Sequence, residues 1–579
     1  MQEEDDEREA FDAAGLAAAM AAGDTDAYAQ RAMRTLDEGG WTAFVDGVIA
    51  AHRRGDLDLS ALLEGFVDRR VGYGTQRLVG QAVPRSGILL AGVMRLDAAA
   101  AARREGEASA HWMSTAFGEW CQASGNNVDV ALAGLRSGDV PSRLARPAVA
   151  AALLLDRGRF LPIVLAMLDG SVDAERDAAA ELLGRIEDLA PADLDASVVG
   201  LERALARARN DRVKSPLRAL LQIAVRDAAD GDVGLRALAE VSPRADAHVR
   251  EAVAMEMMFG AATASPGLAR AALTLLADTS ADEIAAIEGI DHVLAENLAG
   301  PIAAEAAQLA EVLLRSGAAT MKRLDSYQHR LLTSGSDAIA ATVTRWLRAD
   351  ELGLHAAVRD LCLAVHGEPL TFELDFSGEG LTAAEAVRIA RRLCGVLLLA
   401  PESAASIMVS LMCTGPADAI AAIASILWDP LLISYWSGPR KYLEAVLPTL
   451  PPPAAEAVAD AIARLDRYAA AVEAVRDLPE LRPSQHHRHL VAIKRREEQL
   501  AIEKAAREGS VLASLFPMSV MLFGDSAIYD VVTEPGSSIR QETPLGMHEY
   551  SHELPRLDVI DPFGTWYQRR TMMGDGGEE

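Results

Sequence analysis

The sequence predicts an all-α protein: an irregular α-solenoid or a set of stacked helical hairpins, with a small C-terminal segment of strands and loops. Half of the residues are hydrophobic, yet only 5% are aromatic. An interior built mainly from Ala, Leu, Val and Ile suits closely spaced helices. The helical sequence pattern ends near Gly509, and prolines and short apolar runs follow. The length of 579 residues exceeds one compact core, so we expect several domains or one elongated array.

Residues 11–368 are predicted to form a helical-repeat domain, preceded by an acidic, disordered N-terminus at residues 1–10. In this domain Ala179, Leu183 and Ile186 are spaced by threes and fours. This spacing places a single apolar stripe along a helix, and the stripe must pack on a neighbour. Helical stretches alternate with short turns throughout, which predicts stacked antiparallel helix pairs.

The alternation is clear at residues 147–169 and 172–189, where one helical stretch follows another after a short turn. This texture resembles HEAT- or armadillo-like α-helical repeat proteins. The resemblance implies an architecture only, because it carries no family residue. A helix start is predicted separately at Ser280, since Glu283 three residues later completes a capping-box pattern.

Residues 369–480 are predicted to form a second helical domain that opens with a short strand and turn. Phe372, Leu374 and Phe376 alternate with polar residues, which is the period of a half-exposed strand. Thr382 and Glu385 then match a second capping box, which predicts the start of a helix.

Three further segments complete the chain. Residues 481–508 are predicted to be a polar connector helix. Residues 509–573 contain five prolines, which predicts a C-terminal strand and loop segment. Residues 574–579 are predicted to be a disordered tail.

Charge and hydropathy bear on partners and location. The formal net charge is −28, and clustered Lys and Arg are what phosphate binding needs. The excess of acidic over basic residues argues against nucleic acid as a general partner. The most apolar region is interrupted by prolines and acidic residues, short of the roughly 18 to 20 apolar residues of a membrane span. We therefore expect no membrane association and a cytoplasmic location.

One string matches the zinc-protease pattern. His548 and His552 lie four residues apart, so on a helix both could ligate one zinc ion, with Glu549 placed to activate water. Asp558 is spaced as a third ligand. Pro555 and the shortness of the surrounding segment leave little scaffold for a cleft. The alternative interpretation is two polar histidines in a packed or exposed arm.

One short stretch of the chain is richer in aromatic and basic residues than any other. These residues are predicted to bind a partner protein, and the alternative is that they pack in the core. These residues are Trp428, Tyr435, Trp436, Arg440, Lys441 and Tyr442. The sequence thus favours a non-enzymatic helical scaffold or adaptor that binds another protein and needs no cofactor. The alternative is a zinc-dependent, peptidase-like hydrolase. A third hypothesis is a regulatory subunit whose basic helix near His486 contacts nucleic acid.

Overall fold

The chain divides into two compact units, Met1–Thr333 and Ser334–Glu579. The helices between residues 334 and 368, which the sequence assigned to the first domain, therefore lie in the second unit. The computed structural model describes residues 11–64, 73–101, 109–226, 231–260, 263–349, 351–365, 369–378, 380–475, 484–508, 521–523, 526–534, 537–544, 555–557 and 561–574.

The first unit is helical throughout its described residues. Its helices are α1 Ala13–Ala22, α2 Thr25–Thr35, α3 Glu38–Arg54, α4 Ala61–Glu64, α5 Tyr73–Ser86, α6 Leu90–Ala101, α7 Ser109–Gln122, α8 Gly125–Ser137, α9 Ala145–Leu155, α10 Arg157–Met167, α11 Asp173–Arg185, α12 Pro191–Arg207, α13 Lys214–Arg226, α14 Gly231–Val241, α15 Ala247–Gly260, α16 Pro266–Leu276, α17 Ile284–Glu296, α18 Ala303–Ser316 and α19 Asp325–Thr333.

These helices pack in two layers. From α5 to α19, each odd-numbered helix packs against the next odd-numbered one, and α10, α12, α14, α16 and α18 pack in the same successive way. Several helices also contact a neighbour in sequence, as α9 contacts α10, α13 contacts α14 and α15 contacts α16. The arrangement is helical-repeat-like, and the predicted all-α class is confirmed.

Ion pairs repeat the spacing of the hairpins. Arg218 Nε lies 2.5 Å from Glu256 Oε1, and these residues are 38 positions apart. Arg270 Nε lies 2.5 Å from Glu305 Oε1, across 35 positions. Such separations correspond to about one helical hairpin, so each pair joins neighbouring hairpins.

The second unit contains helices and a three-stranded antiparallel sheet. Its elements are α20 Ser336–Arg348, α21 Leu352–Ala364, α22 Ala383–Val396, α23 Pro401–Thr414, α24 Ile420–Ile426, α25 Gly438–Val446, α26 Pro452–Val475, α27 Gln485–Glu508, β1 Met521–Phe523, β2 Ser526–Glu534, β3 Ser537–Pro544 and α28 Pro562–Met573.

The predicted strand at the start of this region is extended but pairs with a helix. Phe372, Leu374 and Phe376 are buried, as the alternation predicts. Their backbone N–H groups donate to side chains of α23 rather than to another strand. The predicted capping box is confirmed at the start of α22, where Thr382 and Glu385 satisfy each other's backbone N–H groups.

The predicted capping box at Ser280 does not begin a helix. Ser280 N–H donates to Glu283 Oε1 over 3.2 Å, but α17 begins at Ile284. The carboxylate of Glu283 is shared with Arg250, whose Nε and Nη2 lie 2.7 and 2.6 Å away. The bidentate pairing therefore joins two hairpins instead of closing a local cap.

The C-terminal segment holds strands, as predicted, and one helix that the sequence interpretation did not include. Strands follow the order β1-β2-β3, with Met521 opposite Ile528 and Ile528 opposite Glu542. Helix α28 begins because Asp561 Oδ1 accepts the N–H of Gly564 over 2.9 Å. Pro562 at its first position has no N–H to leave unsatisfied.

Candidate protein-binding surface

Two of the predicted binding residues meet at a third aromatic residue. The rings of Trp428 and Trp436 both lie edge-on to Tyr468 of α26, with centroids 5.9 and 5.8 Å away. The guanidinium of Arg556 lies 3.6 Å from the centroid of the Trp436 ring. The chain's own C-terminal segment thus covers this cluster in part.

The remaining predicted binding residues differ in environment. Tyr435 is 1% exposed, and its hydroxyl donates to the carbonyl of Leu398. Arg440 pairs with Glu444 and Asp466, each over 2.7 Å. These contacts fix the start of α25, and a binding role for the two residues stays a prediction.

Lys441 and Tyr442 are consecutive residues of the same helix, α25. Lys441 is exposed, whereas Tyr442 is half-buried. Burial raises the pKa of Tyr442 to about 12, and the negative charge of Glu373 adds to the effect. Tyr442 therefore stays neutral and lies close to the extended segment 370–376.

One face of helix α28 packs against α22, and this contact is called the seat of α28. Arg569 Nε donates to the carbonyl of Gly395 over 2.7 Å. A Cβ atom at Gly395 would lie 2.6 Å from Met573 Cγ and 3.0 Å from the carbonyl oxygen of Arg569. The absent side chain of Gly395 is what lets the two helices approach so closely.

The opposite face of α28 carries an exposed aromatic stripe, which consists of Phe563, Trp566, Tyr567 and Arg570. The aromatic residues are 75%, 52% and 62% exposed, in that order. The rings of Phe563 and Trp566 lie 6.1 Å apart, and the Arg570 guanidinium lies 5.4 Å from the Trp566 ring centroid. Spacings of three, four and seven residues align these side chains on one face.

Sequence reasoning missed the aromatic stripe. Two signals could have found it: the Asp561-Pro562 pair, which favours a helix start, and the clustering of aromatic residues in an aromatic-poor chain. The sequence does not show which of these side chains are exposed to solvent. An aromatic face of a helix ordinarily packs inward, and only the fold shows that this one points to solvent.

The zinc pattern cannot be placed, because His548, Glu549, His552 and Asp558 lie outside the described residues. Within the described ranges, no group of three or more His, Cys, Asp and Glu side chains is placed to hold a metal ion. The zinc site stays a prediction.

The basic helix is α27, and its residues His486, His487 and His489 are exposed. Lys494 Nζ lies 3.6 Å from Glu498 Oε1, one helical turn away. This pairing is typical of a solvated helix face.

In the part of the chain that the structure describes, every helix is too short or too polar to cross a lipid bilayer. No family model matches the chain, and no curated protein sequence is significantly similar to it.

Proposed function

We propose that this protein is a non-enzymatic helical scaffold that binds another protein, and that the aromatic stripe of α28 is a principal contact. The observation that carries the proposal is the exposure of Phe563, Trp566 and Tyr567 on one helix face. Exposed aromatic clusters are costly in water, and monomeric proteins rarely present them without a binding role. Trp, Tyr and Arg are also the residues that most often dominate interface energetics.

The seat of α28 supports the proposal because it orients the stripe before binding. Arg569 and Met573 hold the helix against Gly395 from the opposite face. A partner then meets a helix whose backbone is already held in place, which lowers the entropic cost of association.

The arrangement of the first unit supports a scaffold as well. Its helices pack successively on one another, and helical-repeat packing of this kind suits macromolecular partners rather than small molecules. We include in the proposal that this array is an α-solenoid of the HEAT or armadillo type. A cytoplasmic location fits the cysteines, since all four are free thiols.

Affinity purification from the source cells tests the proposal. The tagged full chain is compared with the double variant Trp566→Ala, Tyr567→Ala. We expect a stoichiometric partner that the double variant recovers at least about tenfold less well, as loss of interface anchors predicts. Phe259→Ala is the matched control, since Phe259 is also 73% exposed but lies in the first unit. Equal recovery by the parent and the double variant would overturn the proposal.

A further inference from the structure

Helix α23 presents a line of hydroxyl groups to the extended segment 370–376. The hydroxyl residues are Ser403, Ser406, Ser410 and Thr414, which share one face of the helix. Ser406 Oγ accepts the N–H of Phe372 over 3.0 Å, and Ser410 Oγ accepts that of Leu374 over 3.1 Å. The helix therefore takes the place of a neighbouring strand.

The same hydroxyl groups also reach the carbonyls of the segment. Ser403 Oγ donates to the carbonyl of Leu370 over 2.6 Å, and Thr414 Oγ1 lies 3.3 Å from the carbonyl of Leu374. The spacings match because four residues of α-helix rise about 6 Å and two residues of strand about 6.6 Å. One edge of the segment is thus satisfied along its length.

The other edge of the segment is open. In a strand, the backbone N–H and C=O groups of alternate residues point to opposite edges. The backbone groups of Thr371, Glu373 and Asp375 therefore point away from α23. Within the described residues, their backbone N–H and C=O groups have no hydrogen-bond partner. Their side chains are exposed. An unpaired edge of this kind is a template for another strand.

A groove of about 560 Å³ lies beside this segment, between Glu373 and Asp375 on one side and α20 on the other. The α20 wall includes Ala340 and Ala341, whose small side chains leave room for a second backbone. The volume falls within the range of about 300 to 1,000 Å³ that is usual for ligand-binding clefts. The open edge is therefore accessible to an extended chain.

Charge indicates which chain would fit. Glu373 and Asp375 are two residues apart, so their carboxylates lie on the same face of the segment. Hydrogen bonds from the Ser377 side chain and from its backbone N–H, the latter over 2.8 Å, lower the pKa of Asp375 and keep it ionised. Arg345 and Arg348 also line the groove, but Asp337 adds a third carboxylate, so the lining stays net negative.

We propose that the open edge of segment 370–376 binds another protein by strand addition, and that the bound segment carries Lys or Arg at alternate positions. Backbone hydrogen bonds to Thr371, Glu373 and Asp375 would supply affinity. Basic side chains opposite Glu373 and Asp375 would supply specificity, since side chains directly across paired strands lie within contact distance. The inference rests on the proposed protein-binding function but uses a surface separate from α28.

The test uses the full chain and a fluorescent synthetic peptide of alternating lysine and valine, followed by fluorescence anisotropy. Two further peptides carry N-methyl groups on one or the other set of alternate amides. Strand addition predicts that one methylated peptide binds as well as the parent peptide and that the other loses binding. A peptide of the same composition in block order should bind weakly, because only charge recruits it.

Variants of the protein test the same edge. Glu373→Pro removes an outward N–H without touching the bonds to α23, whereas Glu373→Ala keeps that N–H. We expect the proline variant to bind about tenfold more weakly than the alanine variant, the loss expected for one backbone hydrogen bond. Asp418→Lys, at an exposed acidic position elsewhere in this unit, should leave binding unchanged. Thermal melting confirms that each variant folds.

Three outcomes would overturn the inference: no binding of the alternating peptide, equal binding of both methylated peptides, or equal affinity of the two Glu373 variants. The variant Trp566→Ala, Tyr567→Ala should bind the peptide normally. If the peptide does not bind, but Trp566→Ala, Tyr567→Ala still loses its partner in the affinity purification, only the strand-addition site is ruled out. Failure of the partner experiment with peptide binding intact removes the role of the aromatic stripe.

Discussion

Arg250 and Glu283 join two hairpins of the first unit through an enclosed ion pair, with side chains only 13% and 6% exposed. Burial alone raises the pKa of Glu283, but hydrogen bonds from Arg250 and Ser280 outweigh burial and lower it. The folded chain thus holds this carboxylate ionised more strongly than the unfolded chain does. Its stabilisation is present above the unfolded pKa and is lost as the pH falls through the folded pKa.

Glu283→Gln should therefore lower the free energy of unfolding by roughly 1–3 kcal/mol at neutral pH, because buried donors of Arg250 lose a charged acceptor. The difference between parent and variant should shrink as the pH falls below the ordinary glutamate pKa. Urea denaturation across that range measures both effects. Glu305→Gln is the control: its pair with Arg270 is half exposed, so it should change stability less. A pH-independent difference would contradict the assignment.

The predicted zinc ligands give a second test at this scale. The scaffold account expects purified protein to contain no stoichiometric zinc, because the segment around His548 and His552 is short and interrupted by Pro555. Elemental analysis of the parent and of His548→Ala decides the matter. One zinc ion per chain that disappears in the variant would favour the hydrolase instead.

At the scale of elements, the extended segment and α23 depend on each other. Ser410 is central to their contact, since it accepts the N–H of Leu374 and lies 3.2 Å from the carbonyl of Phe372. Ser410→Ala should cost roughly 1–3 kcal/mol, because a buried N–H then has no partner. Chemical denaturation measures the cost, and hydrogen exchange at Leu374 locates it. Ser425→Ala, at an exposed helix position, should change stability little.

The contact between α28 and α22 is a second element-scale test. Gly395→Val places atoms where Met573 and the Arg569 carbonyl now lie, so α28 should lose its seat. Hydrogen exchange should then accelerate in α28 and remain slow in α23. Gly47→Ala, where an added Cβ meets open space, is the matched control and should leave α28 protected. Unchanged protection in the Gly395 variant would show that the seat does not hold the helix.

Local patterns predicted elements well where one segment contains the whole signal. The alternating burial at Phe372 and Leu374 and the capping box at Thr382 depend on neighbouring residues only, and both are confirmed. The capping box at Ser280 is the exception, because Arg250 of another helix binds the Glu283 carboxylate. Within α26, Val458 is buried whereas Val475, near the other end of the helix, is 40% exposed. Periodicity gives a helix its apolar face, but it does not say how far along the helix a neighbour extends.

At the scale of the whole molecule, the stacking of hairpins was predicted but the repeat spacing was not visible. The partners of interhairpin pairs differ in type, as with Arg218 and Glu256 against Lys214 and Glu251. Different residues serve the same structural role, so the sequence need not repeat. The candidate binding surface was missed for a related reason: exposure is a property of the assembled unit, and no single segment specifies it.

Site-specific photocrosslinking in the source cells tests the central claim most directly. A photoreactive phenylalanine analogue replaces Trp566 in one variant and Phe259 in the other, so two exposed aromatic positions are compared. The account predicts a discrete covalent adduct with a different protein from position 566 and no such adduct from position 259. No adduct at position 566, or the same adducts from both positions, would contradict the claim that this helix face binds a protein partner.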